Sequence, residues 1–470
     1  MRRLTRGRAL LALALCCSPG IALRAAAAPP ASPPAPSVEV APASRLAAAT
    51  RTTSLTAGAA SVEVAVPEGT PLAGYGGYPR RAWIPDLLGR YPHAFWFRPA
   101  KGVHDPVRAR ALALADAQVS VMWLSIDLVG LDPGLTAELA ERLRRAGLAY
   151  SALIVSASHT HSGPGAYIDS ALFAFVAVDR LSPAVRARLL DALESAAREA
   201  HRRRAPARVG VGAVELPGLG KSRIGAPLDP TLGVLKVVTA DGRPLAMLWN
   251  YAIHGTALGR NNFMVSGDLM GDASARIESR LGVPALFVNG AVADVSPAAR
   301  GWRGVASLGE RLADGALGAW EAIRPEADAA LATASRRVSL PGPAVSARAC
   351  LGRWLPAWLR MELGDSLPRS AELHAVGIGG SAWVTIPGEL ETRLGREIKT
   401  AGAGRFDQVF VAGVSNDYLG YLLTPEAAAR STYIACANLY GARGGALMRD
   451  GAVALLGRLA QARDAKGTGQ

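Results

Sequence analysis

From about residue 61 to 462, short apolar runs of strand length alternate with longer stretches whose apolar residues recur every three or four positions. The runs at 119–126, 151–156, 208–214, 232–238, 245–251, 285–288, 371–378, 382–386 and 408–413 read as strands. Between them, 133–146, 183–204, 267–280, 305–323, 387–400 and 445–462 read as helices. A chain patterned this way folds as α/β, with mixed sheets surrounded by helices. No internal repeat and no second linker interrupts the pattern, so one domain over 58–465 is predicted. The stretch 350–367, with Trp354, Leu355, Trp358, Leu359 and Met361, reads first as a buried helix and second as an apolar lid over a lipid pocket.

The segment before this domain is different. Arg2, Arg3, Arg6 and Arg8 precede an apolar run at 9–15 and small residues at 25–28, the pattern of a signal peptide over 1–28. Export to the periplasm or outside the cell is expected. The Cys16–Cys17 pair invites a lipoprotein reading, against which Leu15 is a poor small residue for that processing. Residues 29–57, rich in Pro, Ala and Ser, read as a flexible linker. Later in the chain no uncharged run of about 20 apolar residues suggests a transmembrane segment.

Removing residues 1–28 takes five arginines and no acid, lowering the formal charge from +14 to +9. The remaining basic residues are scattered, Arg202–Arg204 being the densest run, which disfavours nucleic acid and leaves attraction to anionic lipid as the sharper reading. Two cysteines survive cleavage, Cys350 and Cys436. In an oxidising compartment they can pair, or both can stand as buried thiols.

Chemistry concentrates where strands end. Ser156-Ala157-Ser158-His159-Thr160-His161-Ser162-Gly163-Pro164-Gly165 follows one strand, and in extended chain His159 and His161 share a face. A second strand ends in His254-Gly255-Thr256. A catalytic zinc takes about three protein ligands of N or O type and keeps one position open, so these imidazoles begin to look like a site. Of the other histidines, His104 lies in a Gly- and Pro-bearing segment that could line a cleft. A third cluster, Asn289-Gly290-Ala291-Val292-Ala293-Asp294-Val295-Ser296-Pro297, reads as a tight turn holding Ser296. No GxSxG elbow is present. Asp127 and Asp268 read as turn formers, with a second, structural cation such as Ca2+ or Mg2+ as the alternative.

SHTHSGPG, then HGT, then NG…DVSP, then Pro387-Gly388-Glu389, in this order, resembles the neutral/alkaline non-lysosomal ceramidase family over about 61–460. The resemblance implies one Zn2+ per chain, held by His159, His254, Glu389 and Tyr421. It also implies catalytic roles for His161, Ser296, Tyr433 and Arg223. Three departures accompany it: Lys221-Ser222-Arg223 stands where the family carries Asn-Arg-Ser-Pro, Ala293 replaces a glycine, and the C-terminal β-sandwich of larger members is absent. The implied function is zinc-dependent hydrolysis of the N-acyl amide of ceramide or a related N-acyl lipid, with a membrane surface as the source of substrate. Two alternatives stand beside it: an amidase or esterase of the same fold acting on another acyl compound, and an exported lipid-binding protein without catalysis. Oligomeric state is not legible.

Overall fold

A computed structural model describes residues 55–327 and 329–467. The signal peptide, nearly all of the linker and the Cys16–Cys17 pair lie outside the described residues. Strand Thr56–Glu63 is the first element and starts slightly ahead of both the boundary at 58 and the fold onset read near Ser61.

Helix Pro133–Arg145 shows how local chemistry sets an element. Asp132 caps it by accepting from the Leu135 N–H at 2.8 Å, and proline fills its first turn, where a missing N–H costs nothing. Leu135, Leu139 and Leu143, four apart, then face one way and are buried. Each contributes roughly 1.5–3 kcal/mol relative to exposure. Helix Pro183–Arg202 also has proline in its first turn, though Ser182 makes no side-chain cap, and it lays its alanine-rich face on the sheet.

Eight strands form the first sheet, in the order Ala285–Asn289, Pro244–Tyr251, Thr231–Thr239, Ala205–Glu215, Thr56–Glu63, Arg108–Ala115, Ser120–Ile126 and Ala152–Ala157. The pair at each edge is parallel and the rest are antiparallel. A second sheet runs Leu331–Ser339, Ser370–Ile378, Ser381–Ile386, Gln408–Gly413, its last pair parallel. The sheets pack face to face through Trp123, Leu235, Leu248, Trp383 and Phe410. Trp383 stacks on Phe410 at 4.3 Å between ring centres and meets Trp123 edge-on at 5.6 Å. Helices Pro133–Arg145, Pro183–Arg202, Asp268–Leu281 and Gly301–Ala322 cover the outside of the first sheet, and Thr392–Gly402 and Gly441–Gly467 cover the second. The result is helix, sheet, sheet, helix. Mixed sheets surrounded by helices, as read from the sequence, are what the chain forms.

Several local expectations are corrected. The helix read at 387–400 begins only at Thr392, because Glu389–Leu390 first pairs in parallel with Tyr421–Leu422. The stretch 350–367 is not a buried helix. Helix Ala347–Leu351 stops at Gly352, a short hairpin pairs Ala344–Ser346 with Arg360–Glu362, and Trp354 is 80% exposed between them. Cys350 and Cys436 form a disulfide, which ties that hairpin to helix Tyr433–Cys436.

The first sheet curls until its two edges approach, and Ser125 Oγ donates to the Phe287 carbonyl at 2.6 Å across the closing gap. The strand ends that carry the histidine motifs are thereby brought together.

Candidate metal centre

The two histidine segments are zipped by backbone pairing. Thr160 bridges to Gly255, His161 N–H donates to the Gly255 carbonyl at 2.8 Å, and Gly255 N–H returns a bond to the His159 carbonyl at 3.3 Å. Glycine is required there: a Cβ on Gly255 would sit 2.6 Å from Thr160 Cα and 2.7 Å from the His159 oxygen. Asn289, at the end of its strand, braces both segments by donating Nδ2 to the carbonyls of Ser158 and Ile253 at 3.2 and 2.9 Å.

His159 and His161 meet by a different route from the one the spacing suggests. The strand ends at Ala157, and His159 takes a left-handed φ of 66°, so the two side chains are not successive positions of extended chain. Their rings stand nearly perpendicular, 5.0 Å apart, and His254 lies 4.6 Å from His159 and 5.9 Å from His161. A non-glycine residue in this conformation carries strain of order 1–3 kcal/mol, a cost that clusters at functional sites.

Each imidazole is oriented. His159 places Nδ1 2.5 Å from the Val129 carbonyl, and His161 places Nδ1 3.0 Å from the Gly74 carbonyl. With Nδ1–H donated outward, the Nε2 lone pairs of both face inward. Gly74, at φ 94°, leaves room for this contact, since a Cβ there would fall 2.4 Å from His161 Nδ1. Burial pushes His161 well below an ordinary imidazole pKa, with His159 and His254 adding to it. Burial, then Arg223, lowers His254 to about 3. Both rings are therefore neutral near pH 7, the form that binds a metal.

Glu389 completes the group. One carboxylate oxygen lies 3.3 Å from His159 Nε2 and the other 2.9 Å from His254 Nε2. Burial favours the neutral acid, but the two histidines outweigh it and hold the carboxyl well below the usual range. Strand pairing sets Glu389 directly across from Tyr421. Tyr421 turns its hydroxyl to Arg223 Nη1 at 3.1 Å, while the hydroxyl on Glu389 Oε1, at 2.5 Å, belongs to Tyr418. Burial, then Glu389, raises both phenols well above their ordinary pKa.

A divalent cation fits these residues. Nε2 of His159, His161 and His254 and Oε2 of Glu389 are all buried without an aligned hydrogen-bond partner, and the imidazole ligand atoms lie within 4.8 Å of one another. Orphaned polar atoms cost about 1–3 kcal/mol each, so four in one place suit a shared cationic partner. Two ligands on one zinc at about 2.0–2.2 Å stand roughly 3.3–3.6 Å apart when tetrahedral, close to the carboxylate–imidazole separations seen here. The three imidazoles therefore form a group able to hold a metal ion.

Arg223 and Ser296 stand beside Tyr421. Ser296 lies on the short strand Val295–Pro297, paired with Gly220–Ser222, and its Oγ accepts from Arg223 Nε at 2.9 Å. Arg223 also donates to the Ala293 carbonyl at 3.2 Å. In the Lys221-Ser222-Arg223 segment, where the family pattern departs, Lys221 is exposed and Ser222 accepts from the Ala226 N–H, so Arg223 is the cation that reaches the cluster. Ala293 sits outside the left-handed region, so replacing glycine there imposes no backbone strain. Tyr433, 63% exposed, meets Tyr421 edge-on at 5.9 Å. Asp127 and Asp268 are satisfied by protein donors, Asp127 by Arg108 N–H and Arg110, Asp268 by the N–H groups of Leu258 and Leu269, and both serve to tie loops. His104 stacks on Trp302 at 3.8 Å, at the surface.

Sequence reasoning missed Tyr418, Tyr75 and Arg80. Tyr75 lies 5.0 Å from the His161 ring, and buried Arg80 donates to the His161 carbonyl at 3.2 Å. The Tyr418-Leu419-Gly420-Tyr421 spacing was the available signal for the first; nothing in the local pattern marks the other two. Tyr418→Phe keeps the ring against Gly130 and removes only the donor to Glu389. Metal affinity is expected to fall about 10- to 100-fold, as when a ligand loses its outer partner. Competition against a graded series of chelators measures this, and an unchanged affinity would dismiss the role.

Residues 93–307 match the family described as neutral/alkaline non-lysosomal ceramidase, N-terminal. The neutral ceramidase of Oryza sativa subsp. japonica is 25% identical over 207 residues, which cover 39% of this chain and 26% of that protein. Neutral ceramidase 1 of Arabidopsis thaliana is 27% identical over 198 residues, 38% of this chain and 25% of that one. The neutral ceramidase of Mycobacterium tuberculosis is 25% identical over 203 residues, 38% and 32%. The chain thus matches about a quarter to a third of the length of these relatives. Among solved structures, neutral ceramidase from Pseudomonas aeruginosa superposes with a TM-score of 0.72 at 19% identity, covering 87% of this chain and 75% of that one. The resemblance read from the motifs is borne out, and so is the fold.

Proposed function

Starting from a chain related to the neutral/alkaline non-lysosomal ceramidases, we propose that it is a zinc-dependent amidohydrolase that cleaves the N-acyl bond of ceramide or a related N-acyl lipid. The observation that carries this reading is the convergence of three imidazoles and one carboxylate in one buried cluster, with each Nε2 and one carboxylate oxygen lacking an aligned partner. We assign the ion to His159, His254, Glu389 and Tyr421. The carboxylate contacts favour the first three, because Glu389 reaches His159 with one oxygen and His254 with the other. Zinc bound there supplies Lewis acidity towards the scissile carbonyl and an attacking water near neutral pH.

The chain's own groups supply the rest. His161, neutral and with Nε2 unpartnered, accepts the proton of the attacking water and can return it to the leaving amine. Arg223, with Tyr433 beside it, offers donors to charge developing on the carbonyl oxygen. Ser296 orients substrate in this reading rather than attacking it. Its Oγ is held by a guanidinium, which cannot take a proton, and among the described residues no imidazole is hydrogen-bonded to it. Export through the N-terminal signal would place this chemistry outside the cytoplasm.

The test is turnover of fluorescent ceramide and of simple N-acyl amino acids by the purified protein, each with and without chelator. Chelator-sensitive release of fatty acid from ceramide is the expected result. Release from the small amides alone would select the amidase alternative, and chelator-resistant turnover would overturn the metal reading.

A further inference from the structure

We propose that two exposed aromatic loops, each rooted against residues of the metal centre, form a docking surface for anionic lipid bilayers. The first, 78–98, holds Trp83, Ile84, Leu87 and Leu88 in solvent, Trp83 at 80% and Leu88 at 81% exposure. The second, 351–360, exposes Trp354 and Trp358. Large apolar side chains grouped in this way mark an interaction surface, and tryptophan in particular sits at the boundary between water and acyl chains.

These residues are held outward by structure. Asp86 folds the first tip into a turn, accepting from the Tyr91 N–H at 2.7 Å and pairing with Arg90 at 3.5 Å. At its base, buried Asp179 accepts from the N–H groups of Phe95, Trp96 and Phe97. The same loop's root touches the centre directly, through the Gly74 carbonyl on His161 Nδ1 and Arg80 on the His161 carbonyl. The second loop is rooted beside Tyr421. The Cys350–Cys436 disulfide fastens it to the helix that carries Tyr433, and Tyr433 meets Tyr421. One loop thus leads to the proton-moving histidine and the other to the oxyanion side.

Charge selects the occupant. Segment 78–98 exposes Arg90 and Arg98 and half-exposes Arg81, while its one aspartate is buried, and 347–360 carries three arginines (348, 353, 360) and no acid. Apolar tips flanked by arginine suit a bilayer with anionic headgroups, where tryptophan inserts and guanidinium stays at the surface. The proposal rests on the N-acyl lipid reading only for the substrate such a surface would deliver.

Flotation of the full chain with vesicles free of amide lipid tests it separately from catalysis. Phosphatidylcholine vesicles containing phosphatidylglycerol should carry the protein, and pure phosphatidylcholine should carry far less. Trp83→Ser/Leu88→Ser and Trp354→Ser/Trp358→Ser should each lower partitioning at least about tenfold. Arg90→Ser should lower it about fivefold on the anionic vesicles alone. Because these side chains are exposed, melting temperature and turnover of a soluble short-chain amide should stay at wild-type values. Equal binding by the apolar double variants would overturn the proposal. So would binding indifferent to headgroup charge, or a sedimentation shift showing that the tips instead close a dimer.

Discussion

Alanine at His159 or His254 is expected to strip the protein of its metal and lower turnover roughly a thousandfold, the equivalent of several kcal/mol of lost electrophilic stabilisation. Alanine at His161 should lower turnover while leaving the metal in place. The distinction follows from contacts: the carboxylate oxygens of Glu389 lie 3.3 and 2.9 Å from His159 and His254, whereas His161 stands perpendicular to His159 with its Nδ1 on a backbone carbonyl. Folding should survive the His254 change, since neither of its ring nitrogens has an aligned partner to orphan. Elemental analysis of the purified variants decides the matter. One zinc per chain in wild type and His161→Ala, with none in the other two, is the expected pattern. Metal lost from all three would make His161 a ligand and transfer proton movement to another group. Metal kept in His159→Ala would break the assignment.

The strands rich in β-branched and aromatic residues, such as Ser120–Ile126 and Thr231–Thr239, were legible in the sequence, while Thr56–Glu63, Arg108–Ala115 and Leu331–Ser339 were not. The first two are alanine-rich, and alanine is a poor strand former, while the third is broken by Ser335, Arg336 and Arg337 and lacks a clear apolar run. Proline at 387 reads as a helix start, yet the pairing of Glu389–Leu390 with Tyr421–Leu422 captures the next residues as strand. Tertiary pairing overrode a local signal. For the site the division is similar. His159, His161, His254 and Glu389 sit in motifs that declare themselves, but Tyr418, Tyr75, Arg80 and Gly74 act from segments whose nearness arises only when the long sheet curls and the loop 74–98 folds over it. Trp354 and Trp358 have the composition of core residues, and only the structure shows that they face out.

Removing the guanidinium of Arg110 should cost about 3–5 kcal/mol of stability, the penalty for breaking a buried ion pair from one side. Arg110 lies on strand Arg108–Ala115 with 3% of its side chain exposed, bonding Glu278 at 2.6 Å and Asp127 at 3.3 Å. Burial favours a neutral guanidinium, but the two carboxylates outweigh it and raise its pKa. Three parts of the site hang on this junction. Asp127 follows strand Ser120–Ile126 and holds the Arg108 N–H, Glu278 belongs to helix Asp268–Leu281, and the Gly163 turn of the histidine motif packs on the Asp127 carbonyl, where a Cβ would fall at 2.6 Å. Arg110→Met fills most of the space yet leaves both acids without their counter-charge. Arg110→Met/Asp127→Leu/Glu278→Met removes the stranded charges too and should recover much of the loss, because a well-packed apolar set can replace a buried triad. Urea denaturation of the two variants beside wild type reads the difference. A single variant with the wild-type midpoint would mean that water reaches Asp127 and that the junction does not hold the centre together. By contrast, Glu141→Ala, which breaks only solvent-facing pairs with Arg144 and Arg145, should leave the midpoint where it was.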